Sequence, residues 1–164
     1  MRSAKNLGPL TYEQLRHIGQ HAMDNGAELS AEARLLLDNG HHARAFGLSV
    51  LAVEEAGKAF MCAVWAGRQP IPTEASEWQQ FWDHFKSHDA KYVWAVANWP
   101  DWGWNQDALR ETERMAGERQ ENKWWSFYVD VHDGQTSVPA LLDREPCEQH
   151  VELVEDLFIR AFST

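Results

Sequence analysis

The chain has 164 residues, a formal net charge of −10 and a pI near 5.2. That length suits one domain with a core of useful size, and 44% hydrophobic residues exclude a disordered chain. The acidic balance excludes broad electrostatic affinity for DNA or RNA, but it leaves room for a small local site that cuts RNA.

No apolar run is both long and charge-free enough to span a bilayer, and the start, MRSAKNLGPLTYEQL, lacks the apolar block of a signal peptide. A cytoplasmic location is the expectation. The two cysteines, Cys62 and Cys147, are too few for a disulfide framework or a zinc ribbon. Most of the nine tryptophans fall between Trp78 and Trp125. They read as anchors of the core and of a partner interface, because base stacking would want basic surroundings.

Residues 1–10 form a loose lead-in. Thr11 and Gln14 have the spacing of a capping box, which predicts a helix over 11–39, bent near Asn25-Gly26. Asn39-Gly40 is a stop signal, and the short turn makes the next helix antiparallel. That helix, ARAFGLSVLAVEEAGKAFMCAVW over 43–65, is apolar on almost every side. Such a helix belongs in the middle of a bundle. Three charges interrupt it, Glu54, Glu55 and Lys58, and Glu54 with Lys58 has i,i+4 spacing for a pair. Buried charges need partners, so the patch is either an interhelical clasp or a site.

After the proline-containing loop to about 75, Ser76 and Gln79 suggest a cap. A single helix is expected over 77–99, with Trp78, Phe81, Trp82, Phe85, Tyr92, Val93 and Val96 on its apolar face. His84, His88 and Lys91 fall on a neighbouring stripe. Residues 107–126 predict a further helix. WWSFYVDVHDGQTSVP, ending at Pro139, reads as extended, with an Asp-Gly hairpin turn. A last amphipathic helix is expected from 139 or 145 to 162, facing Val151, Val154, Leu157, Phe158 and Phe162 to the core. The sum is an all-α, up-down bundle of five or six helices in a single domain over 1–164, with a short extended segment near 126–138.

Three elements then stand in order. The first is a helix ending LLL-x-N-G followed by HARAFGLSVLAVEEAGKA, which contains Glu54, Glu55, Gly57 and Lys58. The second is F-x-x-H-x-x-K at Phe85, His88 and Lys91. The third is K-x4-Y-V-D and a later proline, at Lys123, Tyr128, Val129, Asp130 and Pro139. Together, over roughly residues 28–140, they resemble the AbiV family of abortive infection proteins, within the HEPN superfamily of small helical bundles. The resemblance implies phage defence by shutting down the infected cell, often through translation. It implies a homodimer, a phage protein as trigger, and for many HEPN relatives a metal-independent endoribonuclease. The superfamily signature is Arg, four to six residues, then His, near the start of the last core helix. Arg16–His21, Arg34–His41 and Arg144–His150 all fit that spacing, and only the last lies where the signature belongs.

The candidate catalytic residues are therefore Arg144, His150, His88 and Lys91. A His can exchange a proton with a ribose 2′-OH, and an Arg can stabilise charge building on phosphate. Glu54, Glu55, Lys58, Lys123, Tyr128 and Asp130 form a candidate polar network, for binding or for structure, in which Asp130 meets Lys58 or Lys91. His84 and His88 at i,i+4 raise zinc, but the paired Glu-x-x-His elements of a di-metal bundle are missing, so no metal and no cofactor are expected. The first functional expectation is a growth-blocking, toxin-like defence effector acting on RNA or the translation apparatus. The alternative is a non-catalytic interaction or sensor module of a defence or toxin–antitoxin system, using a Trp-rich surface. A third is a small-molecule-binding domain using the EE-x-GK pocket. No membrane association is expected.

Overall fold

Thr11 starts the first helix as its sequence implies. Its hydroxyl accepts from the Gln14 amide at 3.2 Å, and the Gln14 side chain accepts from the Thr11 amide at 2.9 Å. The structure is a computed structural model, and it describes residues 8–68, 70–98, 117–119, 121–124, 126–127, 130–132, 135–137 and 143–162. Helix α1 spans Tyr12–Asp38. It ends with Gly40 at φ +80°, the Gly40 amide on Leu37 O and the His41 amide on Leu36 O. This is the paired bonding of a Schellman stop, which needs a residue that tolerates positive φ. Helix α2 spans His42–Gly67 and returns along α1: Gly19 lies against Ala59 and Cys62, and Gly26 against Ala52.

The single helix expected over 77–99 is two. Helix α3 spans Ala75–Lys86 and α4 spans His88–Ala97. Ser87 breaks them, with extended backbone (ψ 125°) and a hydroxyl that accepts from the Ala90 amide. A serine that satisfies an orphan amide of a new helix competes well with continuing the old one. The cap expected from Ser76 and Gln79 does not form; Glu74 precedes the first turn without a side-chain bond. The entry to α3 is set instead by Trp78, whose indole donates to Pro72 O at 2.8 Å.

Residues 117–119, 121–124 and 126–127 are helical and are called α5. The extended segment therefore starts later than 126. Strands β1 (Asp130–His132) and β2 (Gln135–Ser137) pair antiparallel, Asp130 opposite Ser137. The expected Asp-Gly turn, Tyr128, Pro139 and the 107–116 part of the helix expected over 107–126 lie outside the described residues. Helix α6 spans Arg144–Phe162.

The expected all-α bundle is the observed one, with α2 at its centre. Ala52, Val53 and Ala56 of α2 pack with Tyr92, Ala95 and Val96 of α4 and Val154, Leu157 and Phe158 of α6. A second cluster joins Leu15, Met61, Cys62 and Trp65 to Trp78, Phe81 and Trp82. These three tryptophans are core anchors, as their number suggested. Phe162, expected in the core, is 57% exposed in the last turn of α6. Among the described residues no helix is long and apolar enough to cross a membrane.

Candidate functional site: a buried carboxylate with two lysines and a histidine

Gly57 determines how the site is assembled. A Cβ at this position would stand 1.8 Å from the carbonyl oxygen of Lys91. Only glycine lets the α4 backbone lie against α2 there. The close crossing puts the first turn of α4 beside Glu54, one turn back along α2. Because Ser87 restarts the helix, His88 and Lys91 both project from that first turn.

Glu54 is 3% exposed and accepts from three groups. Lys123 Nζ, from α5, meets Oε1 at 2.6 Å. His88 Nδ1 meets Oε2 at 2.6 Å, and Lys91 Nζ meets Oε2 at 3.2 Å. Burial by itself raises the Glu54 carboxyl; the Lys123 hydrogen bond, the Lys91 charge and the His88 bond together outweigh it and hold Glu54 below its ordinary value of 4.5. Lys91 is pushed below its ordinary 10.5 by burial, and the pull of Glu54 offsets only part of that. Among the described residues, two buried ammonium groups thus share one buried carboxylate.

The ionised carboxylate decides the state of His88. Nδ1 must carry the proton it donates to Oε2. The approaches of Lys123 and Lys91 to the same nitrogen, at 3.4 and 3.5 Å, are then electrostatic neighbours and not hydrogen bonds. Nε2 is left as the atom that can take or give a proton, on a side chain that is 48% exposed. Glu54 thereby orients an imidazole at the surface from a sealed position beneath it.

The i,i+4 pairing expected between Glu54 and Lys58 is not the one formed. Lys58 pairs with Glu55, at i,i+3, on the outer flank of the cluster. His84 stays apart: its Nδ1 accepts from the Trp94 indole at 3.3 Å. Asp130 is placed by its backbone alone, opposite Ser137, and its side chain and Tyr128 lie outside the described residues. Among the described residues no group of three or more His, Cys, Asp or Glu is placed to hold a metal ion.

Arg144 and His150 are not brought together. Six residues at ~100° each put them about 120° apart on α6. Arg144 is exposed and pairs with Glu148 at 3.4 Å. His150 is 1% exposed and faces the core against Phe46. The Ser49 hydroxyl donates to Phe46 O at 2.8 Å, so the 2.7 Å contact between Ser49 Oγ and His150 Nδ1 is a donation from the ring. Nε2 is then a buried acceptor with no partner among the described residues. Burial, and after it the charge of Arg119, lower His150 to about 3, so the ring is neutral at pH 7. The other two sequence pairs also part: Arg16 turns to Glu13, His21 to His17, and Arg34 to Glu155.

Two residues escaped the sequence reading. Ser49 is a hydroxyl on the most buried helix, a signal that was there to be read. Arg119 precedes Lys123 by one turn and reaches Phe46, 5.6 Å from the ring centroid; nothing local marks it. A groove of about 490 Å³ opens between α1 and α2, walled by Tyr12, Met23 and Phe60 over Gly19 and Ala59. Its lining includes none of Glu54, His88, Lys91 and Lys123.

Comparison with known proteins places the chain in a family. The family model HEPN_AbiV, described as AbiV, matches residues 14–158. No curated protein and no solved structure matches the chain significantly.

Proposed function

The chain belongs to the AbiV family, and from that premise we propose that it is an abortive-infection effector that stops growth of the infected cell by cutting RNA at the Glu54–His88 site. The observation that carries this reading is the 2.6 Å bond from His88 Nδ1 to a buried carboxylate, which fixes the tautomer of a surface imidazole. His88 Nε2 takes the proton of a ribose 2′-OH. The 2′-oxygen attacks the adjacent phosphorus, the bond to the 5′-oxygen breaks, and the leaving oxygen takes a proton from water. Lys91 and Lys123, in the low-dielectric layer below the ring, offset the negative charge that builds on the phosphate. The reading needs no metal. Arg144 and His150 have no part in it, because one is bound to Glu148 in solvent and the other is sealed. A homodimer in the cytoplasm, triggered by a phage protein and directed at the translation apparatus, completes the proposal on the strength of the family.

A second reading has its own observation. Glu54, Lys91 and Lys123 are all but fully buried, as a structural clasp would be. In that case the protein is a non-catalytic sensor or interaction module, and the cluster holds α2, α4 and α5 in register. The experiment that separates the two is RNA cleavage by purified protein in EDTA, with His88→Ala compared at matched Tm. The nuclease reading expects cleavage in the parent and its loss in His88→Ala without loss of stability. Intact total RNA and tRNA in the parent, or cleavage that survives His88→Ala, removes it.

A further inference from the structure

A pair of imidazoles on α1 has no part in the proposed chemistry. His17 and His21 stand one turn apart, both exposed, with ring centroids 4.4 Å apart and planes inclined by 48°. Their Nε2 atoms are 2.7 Å from each other. We propose that His17 and His21 form a surface chelate for a borderline divalent transition ion such as Ni²⁺, Cu²⁺ or Zn²⁺.

The geometry is close to what such an ion requires. Two nitrogens bound at ~2.0–2.1 Å to one metal, at angles between square and tetrahedral, lie roughly 2.9–3.4 Å apart. The present separation is that of a hydrogen bond between the two rings, and it reaches that range when the exposed rings rotate by a small amount and the ion displaces the shared proton. Helix α1 supplies the preorganisation, since i,i+4 spacing on a 27-residue helix holds the two Cβ atoms on one face. The neighbouring charges favour a cation. Glu13 lies one turn before His17 on the same stripe, and Asp24 lies just beyond His21. The nearby Arg16 is engaged by Glu13 at 3.4 Å, and Asp24 accepts from Gln20 at 2.9 Å. Neither carboxylate is a ligand as placed, so water fills the remaining positions. Imidazole donors select Ni²⁺, Cu²⁺ and Zn²⁺ over the oxygen-seeking Mg²⁺ and Ca²⁺.

The test is calorimetric titration of the full chain with NiCl₂ and with ZnCl₂, alongside MgCl₂, backed by thermal melting. One saturable site for Ni²⁺ and Zn²⁺ is expected, with no Mg²⁺ binding. A metal concentration ten times Kd should raise Tm by about 3–6 °C. His17→Ala and His21→Ala should each abolish the saturable site, while His41→Ala keeps it. Because both rings are exposed, the variants should fold as the parent does, which circular dichroism checks. Absence of saturable binding in the parent, or binding unchanged in the His17→Ala/His21→Ala double variant, overturns the proposal. RNA cleavage does not enter either outcome.

Discussion

His88 and His150 sit on opposite flanks of the same central helix and have acquired opposite characters. At His88 a sealed carboxylate holds one ring nitrogen and the surface has access to the other. At His150 a serine hydroxyl holds Nδ1, and Nε2 is closed in among Phe46 and its neighbours with no proton donor among the described residues. The first arrangement fixes one nitrogen and leaves the other open to a partner at the surface. The second forbids proton exchange near neutral pH, because charging the ring inside the core costs more than the solvent proton can supply until about pH 3. A histidine's spacing from an arginine says nothing about which of these two environments it will enter.

The largest expected effect breaks the ionic side of that comparison. Glu54→Gln leaves two buried ammonium groups without their shared counter-ion and should cost about 3–5 kcal/mol in chemical denaturation. Lys91→Met should cost about 2 kcal/mol less than that, because burial already disfavours the Lys91 charge and Glu54 keeps Lys123 and His88. Equal costs for the two would mean that Glu54 is not the hub of the cluster.

The neutral side is tested by pH. A folded-state value near 3 against an ordinary 6.5 means that below pH 6.5 the unfolded chain binds a proton that the folded chain refuses. The associated stability is fully present above 6.5 and is lost as pH falls toward 3. Between pH 7 and pH 5 the loss is about 2 kcal/mol, from ~1.4 kcal/mol per pH unit below 6.5. His150→Leu should lose correspondingly less over that range. Glu54 also stabilises less in acid, but only once pH falls toward its ordinary 4.5 and below, so the window down to pH 5 belongs to the histidine. An unchanged acid slope in His150→Leu would show that the ring is less sealed than it stands here.

Gly57→Ala tests the backbone crossing that both lysine and histidine depend on. Its methyl cannot coexist with Lys91 O, and separating α2 from α4 should cost about 1–3 kcal/mol. It should also reduce RNA cleavage, since His88 would draw away from Glu54. The smallest effect is expected at Arg144→Ala, where an exposed pair with Glu148 is lost: Tm should move by less than about 2 °C and activity should be unchanged. Loss of cleavage in that variant at unchanged Tm would return catalysis to the Arg144–His150 pair.

Much of the bundle was legible in the chain. The capping box at Thr11, the stop at Asn39-Gly40 and the all-round apolar pattern of α2 are local signals, and each does locally what its chemistry dictates. The Lys123, His88, Lys91 and Glu54 group was also legible, through the ordered motifs of the family. The break at Ser87 was harder to see. A helix-like pattern continued through it, and the serine's competing hydrogen bond is worth only about as much as one cap.

The sequence by itself determined the class of fold, the central place of α2 and the types of residue in the polar cluster, because helix periodicity and capping depend on near neighbours. Only the tertiary structure decided who pairs with whom. Glu54 turned from Lys58 to residues 34, 37 and 69 positions away because the glycine crossing and α5 brought two ammonium groups and an imidazole to one buried carboxylate. His150 turned from Arg144 to Ser49 because the inward face of α6 left it no water. Burial and charge compensation act through space, and the spacing of letters along a helix does not carry them.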